Sequence, residues 1–211
     1  LFEDKDVLVI DKPAGVISHA RGKFWNEASV ASFVRQKTGQ PGDRAGIVHR
    51  LDRVTSGVMI CAKSQQAMSF LQKQFSQRKV TKTYVAIVHG HLSPVEAIID
   101  IPIGRNPNKP QTFHADSAGK PATTRYRVTK SVGRFDMVTL TPETGRTHQI
   151  RVHLKEVGHP IVGDRLYGLD NSGRLYLHAL SLVITLPSGE KKTFESPLPE
   201  EFEQYMEKAD G

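Results

Sequence analysis

Short apolar runs recur along the chain at residues 7–10, 58–62, 84–88, 98–103, 124–129, 136–141 and 182–186, each with the length and side-chain type of a strand. Helical spacing is rarer. Residues 28–38 place Val30, Phe33 and Val34 on one face and stop before Gly39, a suitable C-cap. Ser64 can cap a second helix, whose Ala67, Met68, Leu71 and Phe75 follow the same period. Residues 147–157 also fit a strand, because Ile150, Val152 and Leu154 alternate, but their length and the Gly158 and Pro160 stop favour a helix. Turns at Val132-Gly133-Arg134 and Pro187-Ser188-Gly189 are short enough to join antiparallel strands. The expectation is an α+β fold, with a mostly antiparallel mixed central sheet flanked by helices and loops. With no internal repeat, low-complexity tract or linker, residues 1–211 are expected to form one domain. The segment 104–121, with three prolines, reads as a mobile surface excursion.

Composition adds limits. Hydrophobic residues at 38% and charged ones at 24% suit a chain that can bury a core. No apolar run approaches the ~20 residues that cross a bilayer, and LFEDKDVLVIDKP lacks the basic flank and small-residue cleavage site of a signal peptide. A cytoplasmic protein with no membrane partner is expected. Cys61 is the only cysteine, so neither an internal disulfide nor a cysteine-based zinc site can form, and a core thiol is expected. The chain starts at Leu1 rather than methionine, as a fragment would. Lys+Arg 29 against Asp+Glu 22 leaves +7, which favours a polyanionic partner through counterion release. Basic residues cluster at 78–82, 105–109, 125–130 and 146–155, while acids gather at 200–210.

Three stretches carry candidate chemistry. In HRLDRVTSG, residues 49–57, Asp52 lies between Arg50 and Arg53 and is followed by Thr55, Ser56 and Gly57. A neighbouring guanidinium lowers a carboxyl pKa by ~1–3 from ~3.9, so such an aspartate stays ionised and is a poor proton donor. It suits nucleophilic attack or stabilisation of a cationic sugar-like transition state. The bland alternative is an Asx-turn with a surface ion pair. In TGRTHQIRVH, residues 144–153, a helix would put His148, Arg151 and Lys155 on one face and Ile150, Leu154 and Val157 on another. The basic face would meet a polyanion, Arg151 being able to fork between a carboxylate and a phosphate, or would simply be solvated. His148 and His153 lack the spacing and glutamate of a zinc-protease pair, so no metal is expected. In KTYVAIVHG, residues 82–90, Tyr84 opens an apolar strand with Lys82 two residues before it on the same face. A phenol there is core, or stacks on a base, or moves a proton with a cation beside it. Trp25 and Phe113 are further stacking candidates.

HRLDRVTSG, KTYVAIVHG, TGRTHQIRVH and HALSLVITLP stand in the order and approximate spacing of the RluA-type RNA pseudouridine synthases, with LVIDKPAG and GHPIVGDRLYG strengthening the resemblance. It covers nearly the whole chain and is most similar to members acting on large-subunit ribosomal RNA. The resemblance implies the pseudouridine synthase catalytic fold and an enzyme that detaches uracil from C1′ of a uridine in RNA, turns the base and rejoins it through C5, with no cofactor. It implies Asp52 as the catalytic carboxylate, Arg151 pairing with Asp52, and Tyr84 against the base, assisting loss of the C5 proton. Arg50 resembles the residue that fills the space of the extracted nucleotide, His148 and Gln149 would support the pocket, and Leu182 would line its apolar wall. Thr55, Ser56 and Lys82 complete the expected substrate-binding set. The RNA would be ribosomal, with transfer RNA as an alternative, and the protein a monomer.

Many members carry a small N-terminal RNA-binding domain of the S4 type. The 211 residues hold none, so it is expected either to have preceded residue 1 or to be dispensed with. Residues 18–25, SHARGKFW, depart from the His-Pro-Gly-like pattern common after the first strand. Two rivals stand beside this reading: a non-catalytic RNA-binding or ribosome-assembly module, and a base-releasing N-glycosidase with Glu143 as second acid.

Overall fold

The structure, a computed structural model, describes residues 1–20, 27–168 and 173–210. Trp25 and most of the 18–25 segment lie outside them. In chain order the elements are β1 (Phe2–Glu3), β2 (Val7–Lys12), α1 (Val30–Thr38), β3 (Ser56–Ala62), α2 (Gln65–Ser76), β4 (Thr81–His89), β5 (Glu96–Asp100) and β6 (Ile103–Arg105). They continue as β7 (Phe113–Ala115), β8 (Thr123–Val132), β9 (Phe135–Pro142), α3 (Gln149–Glu156), β10 (Leu177–Thr185), β11 (Lys191–Glu195) and α4 (Glu200–Lys208). The fold is α+β, as expected. The chain divides into two compact units, Leu1–Thr81 with Ala179–Pro197, and Lys82–His178 with Leu198–Gly211.

In the first unit the strand order is β1-β2-β3-β10, with β11 antiparallel to β10. β2 runs antiparallel to β3 from Val7 opposite Ala62 to Lys12 opposite Gly57. All seven residues of β3 are buried, which is why the strand reads as a continuous apolar run instead of alternating. Gly57, at φ +119°, lets the chain come so near β10 that a Cβ would stand 2.2 Å from the Ala179 carbonyl oxygen. α1 opens on a capping box, Ser29 Oγ accepting from Ser32 N–H at 3.1 Å and Ser32 Oγ from Ser29 N–H at 2.8 Å. Its buried face is Val30, Ala31 and Val34, so Phe33 is exposed, contrary to expectation. At 100° per residue the centre of that arc lies towards Ala31, and Phe33 falls beyond its edge. α2 is capped by Ser64, as expected. Gln74 joins its buried face because its amide is paired with the Thr185 backbone, accepting from Thr185 N–H at 3.2 Å and donating to Thr185 O.

The second unit is an antiparallel run β4-β9-β8-β5 with a separate β6–β7 hairpin. Residues 98–103, expected as one strand, are two. Pro102 offers no N–H to a ladder, so β5 ends at Asp100 and Ile103 starts the hairpin. The proline-rich segment 104–121 is therefore part of a built element. α3 forms as expected, and α4 places Phe202 and Met206 in the core with Glu200, Glu201 and Glu203 in its first turn, where the helix dipole favours acids. No helix among the described residues is long and apolar enough to cross a membrane.

Candidate active site

In the first unit the 49–57 stretch is a turn held from several directions. Thr55 N–H donates to Asp52 O at 3.1 Å, and Ser18 Oγ both donates to Leu51 O at 2.7 Å and accepts from Leu51 N–H at 3.1 Å. His49 stacks on Phe75, ring centroids 4.7 Å apart, while its Nε2 accepts from Ile60 N–H at 3.0 Å. The turn of the bland reading is thus present, with the Asp52 main-chain carbonyl as its acceptor. Arg53 forks onto Glu27, with Nη2 to Oε2 at 2.8 Å, and that pairing raises the guanidinium's pKa further. Arg50 is exposed, Asp52 half-buried, and Thr55, Ser56 and Leu182 buried, the last on β10 opposite Phe194.

Lys12, which sequence reasoning did not single out, is fully buried at the end of β2. Its Nζ donates to three backbone carbonyls, Pro13 at 2.8 Å, Val16 at 2.9 Å and Arg53 at 3.3 Å. Burial brings its pKa down to about 8, and the Asp52 carboxylate is the largest influence opposing that fall. A carbonyl-caged ammonium therefore lies in the field of the candidate acid. The Lys-Pro pair in LVIDKPAG was the available signal, since a lysine ending an apolar strand must find acceptors or leave the core.

In the second unit, Lys82 Nζ donates to Thr144 O at 3.2 Å, and Tyr84 is half-buried on β4 opposite Leu140. Gln149 clamps the stretch before α3. Its Oε1 accepts from Thr144 Oγ1 at 2.6 Å and from Arg146 N–H at 3.0 Å, while its Nε2 donates to Thr123 O and Thr124 Oγ1, both at 3.0 Å. His148, at the N-cap of α3, has φ +57°, a left-handed conformation that a residue with a Cβ rarely adopts. Arg151 is buried and forks onto buried Asp164, with Nε to Oδ2 at 2.8 Å and Nη2 to Oδ1 at 2.7 Å.

The alternative of a solvated basic face on α3, offered by His148, Arg151 and Lys155, holds for Lys155 alone, since His148 is half-buried and Arg151 buried. Arg151 and His153 are both buried, and burial lowers the pKa of His153, whose ring meets Thr124 Oγ1 and Ile101 O at 3.0 Å each. The basic cluster at 125–130 is also matched by acids: Arg125 with Glu143, Arg127 with Glu96, and Lys130 with Glu203. Glu143, the second acid of the glycosidase rival, thus faces an arginine at 3.7 Å. No group of three or more metal-ligating side chains occurs among the described residues.

The match to known proteins decides the family. Residues 6–156, a span holding every candidate side chain except Leu182, match the family described as RNA pseudouridylate synthase. The chain belongs to this family. It is 38% identical to the ribosomal large subunit pseudouridine synthase D of Nitrosomonas europaea, over 98% of this chain and 64% of that protein. It is 39% identical to the dual-specificity RNA pseudouridine synthase RluA of Escherichia coli, over 93% of this chain and 91% of that one. Among solved structures, human RNA pseudouridylate synthase domain containing 4 is similar with a TM-score of 0.79 and 27% identity, over 99% of this chain and 92% of that one. The chain thus spans less than two thirds of the Nitrosomonas relative's length. Its likeness to these relatives places it with the RluA-type members of the family.

Proposed function

We propose that this pseudouridylate synthase isomerises uridine to pseudouridine in large-subunit ribosomal RNA, with residues 1–211 acting as one catalytic domain. The observation that carries the reading is the match over residues 6–156, which takes in the Asp52 turn before β3, Tyr84 on β4 and Arg151 on α3. The name of the Nitrosomonas relative supports the ribosomal target. The second name, dual-specificity, supports a second RNA target, for which transfer RNA is the reading carried here.

In this reading Asp52 is the catalytic carboxylate, Tyr84 lies against the target base, and Arg151 is the supporting guanidinium. Arg50, Thr55, Ser56, Lys82, His148, Gln149 and Leu182 bind or frame the nucleotide. The reaction breaks the C1′–N1 bond and forms C1′–C5; C5 loses a proton and N1 gains one, so the product is an isomer and no electrons are exchanged. An aspartate that stays charged suits attack on, or support of, an electron-poor C1′. The target base must leave its stack at a cost of a few kcal/mol, offset by backbone contacts. Each phosphate neutralised along a single strand adds ~0.7 to the salt slope of binding.

Incubated with large-subunit ribosomal RNA transcript, the protein is expected to form pseudouridine and release no uracil. Free uracil would instead identify an N-glycosidase, and retained RNA binding with neither product a binding or assembly module.

A further inference from the structure

A directed run of hydrogen bonds joins β8 to α3 in the second unit through four buried side chains, Thr124, Thr144, Gln149 and His153. Main-chain groups fix its direction, because an N–H only donates and a carbonyl only accepts. Arg146 N–H donates to Gln149 Oε1 and Thr123 O accepts from Gln149 Nε2, both at 3.0 Å, so the amide has one orientation. At the other end Ile101 O lies 3.0 Å from His153 Nε2, which therefore bears a proton. Thr124 Oγ1 stands between, 3.0 Å from both Gln149 Nε2 and His153 Nδ1. It accepts from the Gln149 amide. Burial lowers the pKa of His153, a fall that the Ile101 carbonyl and the Asp100 carboxylate on β5 oppose without reversing, so the ring is neutral and its Nδ1 takes the hydroxyl proton.

We infer that His153 is a positioning residue, whose bare Nδ1 orients the Thr124 hydroxyl and through it the Gln149 amide, and so sets the turn that leads into α3. That turn bears directly on residues given nucleotide-binding roles above. Gln149 Oε1 also accepts from the Thr144 hydroxyl at 2.6 Å, Thr144 O accepts from Lys82 Nζ at 3.2 Å, and His148 precedes Gln149 in the chain. A second proton on His153 would make Nδ1 a donor to Thr124 Oγ1 and take from the buried hydroxyl the acceptor it now has. Turning the Gln149 amide over to receive that proton would set its NH2 against Arg146 N–H and its oxygen against Thr123 O. Only the neutral ring satisfies the whole run, and each bond in such a chain strengthens the next.

This rests on the RNA-binding roles proposed for Lys82, His148 and Gln149, but the run can be read without RNA. The first measurement is nitrogen NMR of the full chain carrying labelled histidine at a pH where the ring is neutral, with His153 assigned by the signals lost in His153→Asn. Wild type should show Nε2 with a proton and Nδ1 without one. His153→Leu fills the space without an acceptor, whereas His153→Asn keeps an acceptor oxygen one bond from Cγ, where Nδ1 stands. The leucine variant should speed Arg146 amide exchange about tenfold and raise KM for RNA about tenfold at little change in kcat, and the asparagine variant should bring both back to within about threefold of wild type. A residue that only fills the core would give the opposite order, leucine milder than asparagine. That order, or a wild-type ring protonated on Nδ1, would overturn the assignment, and the wild-type spectrum alone decides it should neither variant fold. Loss of the pseudouridine reading would leave the spectral and exchange results standing, and only the KM shift would go with it.

Discussion

Lys12 in the first unit and Arg151 in the second are both buried cations, held in opposite ways. Lys12 is surrounded by carbonyl dipoles, with Asp52 acting on it through space, and its proton is loosened to about 8. Arg151 meets a carboxylate, Asp164, in a two-pronged contact, and a guanidinium does not give up its proton at all. Carbonyl dipoles hold a lysine in place yet leave its charge responsive to a neighbouring acid. A buried carboxylate fixes an arginine for good. The first arrangement leaves a charge that a neighbouring carboxylate tunes, the second a guanidinium fixed in charge and orientation.

The largest effect should come from breaking the fixed pair. Asp164→Ala strands a buried guanidinium and also releases Leu166 and Tyr167 N–H, so it should cost roughly 3–5 kcal/mol in urea unfolding. Replacing both partners, Arg151→Met with Asp164→Leu, should recover much of that loss, and no recovery would show that the pair does more than satisfy itself.

Lys12 should give a smaller effect that depends on pH. Its native pKa, about 8, lies below its ordinary 10.5, so between those values the unfolded chain binds more protons than the native one. Stability should therefore rise with pH across this window, by on the order of 2–3 kcal/mol, and fall back as pH drops through about 8. Lys12→Met should flatten that rise in urea titrations, leaving any Arg151-linked stability unchanged. Smaller again is the influence of Asp52: Asp52→Asn should push the Lys12 midpoint below about 8, visible in carbon NMR of its Cε, because the charge holding it up has gone.

The smallest effect belongs to a third pair. His91 Nδ1 lies 2.8 Å from buried Asp136 and its Nε2 3.1 Å from Gly133 O, so both ring nitrogens have acceptors and the hydrogen bond to Asp136 raises the imidazole pKa. That contribution is full below the ordinary histidine value and lost as pH rises through the raised one. His91→Asn should remove this slope from melting temperatures measured across neutral pH.

Much of the framework was legible because its causes are local. Ser64 and Gly39 bound their helices by side-chain and backbone chemistry within four residues, and Gly133 marked its hairpin. α4 was missed: Pro199 offers no side-chain cap, and a run of glutamates resembles a solvated tail until Phe202 and Met206 are seen to be buried. The Asp52 turn and the Arg151 helix were visible as motifs, but their partners were not. Asp164 lies 13 residues from Arg151, and one of the three carbonyls around Lys12 comes from Arg53, 41 residues away, distances over which sequence carries no pairing rule. Burial of Arg151 was hidden for the same reason.

The central claim is that one aspartate, Asp52 in the turn before β3, makes this chain an RNA isomerase. Pseudouridine formation by Asp52→Asn on large-subunit ribosomal RNA, measured beside RNA affinity at fixed salt, tests it most directly. The account predicts a fall of roughly three orders of magnitude or more in product with binding kept within a few-fold. Unchanged turnover would contradict it.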